Sequence, residues 1–300
     1  MEYNTDKALG TICLTREEPM KTGIAVNFAL DPEAAKKNLA HLKLLGYDCA
    51  DLGGFINTET EWFTAPAPER LKRWEEIGRA ARDAGIEFSQ THGPWRFPPQ
   101  DFTDEDRAER FEKMSIALEG TAAVGAPCMA IHNIMPWGGG ECPDPERFTE
   151  LNREFFARLI EKAKAVGVVI ALENMPFPKL ILSTPEQVLN FVKEFDSPYF
   201  RICLDTGHAA VFGISPAESV RMIGKDYLAC LHVHDNDGRG DYHWLPFRGV
   251  IDWADFSRAL HEIGFEGTLS LETNVSGKLP QPVREEWEKA LAATARYLTL

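Results

Sequence analysis

Short apolar runs alternate with longer amphipathic stretches along this 300-residue chain. The runs TGIAVNF (22–28), GYDCADLGG (46–54), IEFSQTHGP (86–94), APCMAIHN (126–133), GVVIALENMP (167–176), FRICLDTGH (200–208), YLACLHVHD (227–235) and GTLSLET (267–273) read as eight strands. Helical segments separate them, giving a strand–helix unit about every 30–40 residues. Helix starts are marked by Asp31-Pro32 and Asp144-Pro145-Glu146, and by Thr184-Pro185-Glu186-Gln187 and Ser215-Pro216-Ala217-Glu218. Each places an oxygen-bearing cap before a proline at the first helical position. Further helices are expected over 69–84, 105–124, 253–263 and 283–298. Near-continuous apolar strands such as VVIAL need both faces covered, which implies a parallel sheet under helices. Eight strands and eight helices without a linker-like tract predict a single-domain (β/α)8 TIM barrel over 21–300, after an irregular lead-in over 1–20. A doubly wound sheet is the competitor, but no Gly-x-Gly-x-x-Gly turn follows the first strand.

The polar residues are informative at the strand ends. Strands three to eight end in His92, His132, Glu173, Asp205, His232 and Glu272. Barrel active sites lie at that C-terminal mouth, and buried ionisable groups are costly unless they serve a site. Of eight histidines, only His41 and His261 fall on helices, where surface or packing roles suffice. Glu173, Asp205, His232 and Glu272 make an oxygen-rich set with one nitrogen. That set suits one divalent ion, Mn²⁺ first, with Co²⁺, Mg²⁺ or Zn²⁺ also compatible. Three carboxylates leave such an ion with a residual charge near −1, so one of them can take up a proton. His232 and His234 are two apart and point to the same side, so spacing does not separate them. His208 lies in the turn after Asp205, and Asp241 and His243 form an Asp-x-His pair after strand seven. Trp95 and Trp137, beyond strands three and four, suit either stacking on a sugar or packing at the rim.

Charge and composition narrow the partners. A net charge of −14 and the absence of a dense basic run argue against nucleic acid. No apolar stretch approaches membrane-spanning length, and MEYNTDKALG has no apolar core region. The six cysteines (13, 49, 128, 142, 203 and 230) are scattered without a Cys-x-x-Cys pair, as in a reducing, cytoplasmic setting. The expected partner is a small carbohydrate, with homo-oligomerisation left open.

The motifs ALENMP (Glu173), LDTGH (Asp205, His208), HVHD (His232) and SLET (Glu272) resemble those of the sugar isomerase/epimerase superfamily of xylose-isomerase-like barrels, over residues 20–298. They look like the metal tetrad of ketose 3-epimerases of the tagatose epimerase type. The resemblance implies that Glu173 and Glu272 are the acid/base pair and that His208 contacts a substrate oxygen. It also selects His232 over His234, because an acid, Asp235, follows three residues later. On this reading His92, His132, Trp95, Trp137, Asp241, His243 and Arg248 are further substrate-site candidates. The implied reaction is proton transfer next to a carbonyl through an enediolate. A lyase or dehydratase acting on a keto-sugar or keto-glycoside is the first rival. The pattern is also similar to that of the endonuclease IV family of three-zinc nucleases, for which His92, His132, Glu173, Asp205, His208, His232, Asp241, His243 and Glu272 are all candidates. A non-catalytic sugar-binding barrel is the weakest alternative. Pro246-Phe247-Arg248-Gly249 departs from the Pro-Gly-x-Gly turn of relatives, so this bulkier, positively charged loop is expected to reshape the pocket.

Overall fold

The structure is a computed structural model that describes residues 20–95, 101–273 and 275–300. Of the expected lead-in, only Met20 falls among these residues; Cys13 also lies outside them. In chain order the elements are β1 (Lys21–Val26), α1 (Pro32–Leu45), β2 (Cys49–Leu52), α2 (Glu61–Thr64), α3 (Ala67–Ala84), β3 (Glu87–His92), α4 (Asp104–Val124), β4 (Cys128–Ile131), α5 (Pro145–Val166) and β5 (Val169–Glu173). They continue as α6 (Pro185–Lys193), β6 (Phe200–Asp205), α7 (Thr206–Val211), α8 (Pro216–Ile223), β7 (Leu228–His232), α9 (Trp253–Glu262), β8 (Thr268–Leu271) and α10 (Gln281–Leu298).

All eight strands run parallel in the order β7-β6-β5-β4-β3-β2-β1-β8. The two ends of the sheet meet just past β7. Val233 N–H donates to the Ser270 carbonyl at 2.9 Å, and Glu272 N–H donates to the Val233 carbonyl at 3.0 Å. This closes a single-domain TIM barrel.

The helix starts form for the reasons their sequences suggest. Thr184 accepts from the Gln187 backbone while the Gln187 side chain accepts from Thr184, a reciprocal capping box. Asp31, Asp144 and Ser215 each cap a helix with proline in its first turn. Outside the barrel, leucine, isoleucine and aromatic side chains of strands and helices share one buried layer. Inside it, the packing is of small groups: Cys128, Ala130, Ala171, Cys203 and Cys230. That small-residue layer is the floor on which the polar groups of the mouth rest.

The structure differs from the pattern-based expectation at several boundaries. Two short helices, α2 and α7, add to the eight expected. The latter forms because Asp205 caps it, accepting the His208 N–H at 2.6 Å, so β6 ends at Asp205 and TGHAAV turns at once. β4 and β8 stop at Ile131 and Leu271, one residue before His132 and Glu272. Those two residues therefore project from the first position beyond their strands.

Candidate metal centre

Register places the candidate ligands side by side. Asp205 pairs with His232 across β6 and β7, and Glu173 pairs with Cys203 across β5 and β6. Every second residue of a strand faces the barrel axis, so these positions form layers. Glu173, Asp205, His232 and Glu272 offer one ligand atom each, all within 4.8 Å of one another. Asp205 and His232 are fully buried and Glu173 nearly so, while Glu272 is a fifth exposed at the mouth.

The donor chemistry fits a divalent cation. Glu173 Oε1 lies 3.1 Å from His232 Nδ1, and Glu272 Oε2 lies 3.5 Å from the same nitrogen. Yet Glu173 Oε2 and both His232 nitrogens are buried without a properly directed hydrogen bond among the described residues. Buried polar atoms are rarely left so. Three carboxylates and one imidazole converging with unused lone pairs are what an oxygen-preferring ion needs.

Two further groups adjoin the tetrad. His92 and His132 stand with their Nε2 atoms 3.6 Å and 3.2 Å from Glu173 Oε2. On the other side, His208, His234, Asp241 and His243 bring ligand atoms within 4.8 Å of one another. His208 is oriented by the Asn174 carbonyl 2.7 Å from Nδ1, leaving Nε2 to Asp241 at 3.3 Å. The His243 ring stacks on His234 at 4.0 Å between centroids, its Nδ1 2.7 Å from the Glu272 carbonyl.

Electrostatics push the two glutamates in opposite directions. Burial alone would raise Glu173, but the imidazoles of His232 and His132 outweigh it and hold the carboxyl well below the usual range. Glu272 is driven up to about 8, chiefly by burial, with the charges of Glu173 and Asp205 adding to it. Burial works against a charged His208, yet Asp205 and Asp241 raise it to about 10. His92 is lowered to about 4 by burial and by the neighbouring His132.

A cavity of about 540 Å³ opens above these groups. Its wall includes His92, Trp95, His132, Glu173, His208, Asp241, His243 and Glu272, with Met175, Pro176, Phe177 and Pro178 from the loop after β5. The Trp95 ring meets His132 edge-on at 4.3 Å.

Two candidates are not brought to this cavity. Trp137 is partly buried against the hydrophobic core, and Arg248 lies over the Trp244 ring at 4.6 Å; neither lines the wall. Phe247 is likewise absent from the wall; it adopts a left-handed φ of 72° and turns toward Tyr297 and Trp253. The 246–249 loop supplies no residue to the cavity wall; Asp235 anchors it, accepting from the Gly249 N–H at 2.8 Å, and ties it to α9 by accepting from the Trp253 indole at 2.9 Å. Arg239 does line the cavity.

Pattern reading missed two polar groups. Asp51 of β2 lies 3.2 Å from His232 Nε2 and is held by Gln90 Nε2 at 3.0 Å. Its signal was an acid inside the apolar run CADL. His234, set aside in favour of His232, stands 3.0 Å from Asp205 Oδ2 and joins the second cluster.

Comparison with known proteins agrees with this architecture. An uncharacterized protein of Methanocaldococcus jannaschii is 30% identical over 188 residues, 58% of this chain and 62% of that one. The D-psicose 3-epimerase of Ruminiclostridium cellulolyticum is 25% identical over 209 residues, 66% of this chain and 67% of its own length. The chain thus spans roughly three fifths to two thirds of these relatives. The crystal structure of a 3-keto-D-glucoside 4-epimerase from E. coli superimposes with a TM-score of 0.71 at 18% identity, over 93% of this chain and 98% of that one, which establishes the shared fold. A family model described as xylose isomerase-like TIM barrel matches residues 39–298, and the chain belongs to that family.

Proposed function

We propose that the chain is a divalent-metal-dependent isomerase or epimerase of a ketose or related keto-sugar. The carrying observation is a pair of glutamates in one ligand cluster, below one cavity, with opposed proton affinities: Glu173 held ionised and Glu272 raised to about 8. Oppositely tuned carboxyls are the mark of an acid/base pair.

In this reading Glu173, Asp205, His232 and Glu272 hold the ion, Mn²⁺ being the first choice. When bound, the ion supplies Lewis-acid polarisation of the substrate's carbonyl. The protein groups do the rest. Glu173 and Glu272, from strands on different sides of the barrel, face the carbon next to that carbonyl. One removes its proton; the other returns a proton to the opposite face in epimerisation, or to a neighbouring atom in isomerisation. Glu272, a fifth exposed at the mouth while Glu173 is buried, is the better placed of the two to exchange a proton with solvent. His208, charged and oriented by Asn174, donates to the substrate oxygen that gains negative charge. His92, held neutral, completes that wall, and Trp95 offers a flat apolar face to the sugar. The substrate class is supported by the sugar epimerases among the relatives.

One observation favours a second reading, a phosphodiesterase with several metals. The sets His92, His132, Glu173 and His208, His234, Asp241, His243 flank the tetrad. The net charge of −14 weighs against a phosphate backbone as substrate.

Ketoses, ketose phosphates and keto-glycosides, incubated with the Mn²⁺-loaded enzyme in deuterium oxide, decide between them. The proposal predicts deuterium next to the carbonyl of at least one ketose and about one ion per chain. Three ions per chain with cleavage of abasic DNA, and no exchange into any sugar, would overturn it.

A further inference from the structure

Directly beneath the tetrad the barrel interior is lined with sulfur. Cys203 pairs in register with Glu173 on one side and Cys230 on the other. It sits two residues before Asp205, on the same inward face and one layer lower. Its Sγ lies within 4.8 Å of ligand atoms of both Glu173 and His232. Cys230 is in contact with Cys203 and with Cys128. Cys128 in turn lines a cavity of about 620 Å³ at the opposite, N-terminal end of the barrel. A column of three thiols therefore leads from that cavity to the underside of the ligand cluster.

The chemistry of this lower layer differs from that above it. A carboxylate, a thiol and an imidazole form a mixed set that borderline and soft ions prefer, whereas three carboxylates and an imidazole suit hard ones. Glu173 and His232, the two residues that share this set with Cys203, each carry a buried atom, Oε2 and Nδ1, that lacks a directed hydrogen bond among the described residues.

We infer that Glu173, Cys203 and His232 form a second, softer metal site beneath the tetrad, which takes a thiophilic divalent cation such as Cd²⁺ or Zn²⁺. It rests on the proposed metal centre only in sharing Glu173 and His232. Occupancy of the two sites is mutually exclusive. His232 Nε2 faces Asp51 at 3.2 Å, so Nδ1 is the one nitrogen left for an ion. An ion held on sulfur draws His232 away from Asp205 and Glu272, so thiophilic ions act as inhibitors of the hard-ion enzyme. Binding replaces the thiol proton with the cation and releases that proton to solvent; no electron changes hands.

The test is a Cd²⁺ titration of the full chain with Cys13, Cys49 and Cys142 replaced by serine. The readout is the ultraviolet sulfur-to-cadmium charge-transfer band. Mn²⁺ binding is followed in parallel by electron paramagnetic resonance, and circular dichroism reports folding. The inference predicts a band that saturates at one Cd²⁺ per chain and blocks Mn²⁺ binding. Cys203→Ala abolishes the band and leaves Mn²⁺ affinity unchanged, while Cys230→Ala retains the band. A chain that binds Mn²⁺ but shows no band, or a band that survives Cys203→Ala, overturns the inference. A band without any Mn²⁺ binding leaves the sulfur site standing and overturns the tetrad reading instead.

Discussion

Asp51 Oδ2 lies 3.2 Å from His232 Nε2 at the centre of the barrel, and both side chains are buried. The contact goes with a defined ring orientation: Nε2 faces Asp51, and Nδ1 faces Glu173 and Glu272. Gln90, the register partner of Asp51 on β3, holds the acid, donating to Asp51 Oδ2 at 3.0 Å and to the Leu231 carbonyl at 3.1 Å. An imidazole backed by a carboxylate is a stronger and better oriented ligand.

Replacing Asp51 by Asn keeps the shape and removes the charge. Mn²⁺ affinity is expected to fall by about 10–100-fold, the usual effect of losing such a backing group. Isothermal titration calorimetry on folded variant and parent checks this. An unchanged dissociation constant contradicts the role given to Asp51.

Metal binding is expected to expel protons. Glu272 is raised to about 8 by burial, so at neutral pH it is mostly protonated and must lose that proton to bind an ion. Affinity therefore rises with pH up to about 8, and the Glu272 contribution flattens above it. The metal-free protein shows the opposite trend. A folded-state value above the usual 4.5 favours the neutral form, so this stabilisation is full below pH 4.5 and lost as pH rises through about 8. Calorimetric Mn²⁺ titrations in buffers of different ionisation enthalpy count the released protons, and none released at pH 7 would sink the assignment.

Gly207→Ala is expected to displace His234. A Cβ at this position stands 2.0 Å from His234 Cε1, and that ring is fully buried against Asp205 and His243 with nowhere to retreat. Overpacking of this kind costs about 1–3 kcal/mol. Thermal melts measure the loss of stability, and metal titration measures the damage to the site.

Asp235 carries the loop that presents Asp241 and His243. It accepts from Asn236 N–H at 2.9 Å, Gly249 N–H at 2.8 Å and the Trp253 indole at 2.9 Å. Asp235→Ala leaves these donors unpaired and is expected to cost about 3 kcal/mol, each buried orphan being worth roughly 1–3. Urea unfolding tests it; a variant as stable as the parent contradicts the anchoring role.

The barrel was legible because its signals are local and repeated: eight apolar runs, capped helices and a steady spacing. The positions of Glu173, Asp205 and His232 could be read from the abrupt change of residue type at the end of each run. Asp51 and His234 escaped for different reasons. Asp51 lies inside the apolar run of β2 and is followed by Leu52 rather than ending it, and its partner His232 is 181 residues away in the chain. His234 shares a face with His232, and only the closure of β7 on β8 separates their surroundings. Trp137 and Arg248 show the converse. Both lie in loops that follow strands, yet the orientation of a loop side chain depends on packing that spacing does not encode: Trp137 turns to the core and Arg248 to Trp244.

The central claim is that Glu173 and Glu272 move a proton on a sugar held at one metal centre. Its most direct measurement is solvent-deuterium exchange into a turned-over ketose by the Mn²⁺-loaded parent, Glu173→Gln and Glu272→Gln, with folding checked by circular dichroism. The account predicts exchange by the parent and a loss of about a hundredfold or more in each variant, as expected when a general acid or base is removed. Exchange at the parental rate in both variants would contradict it.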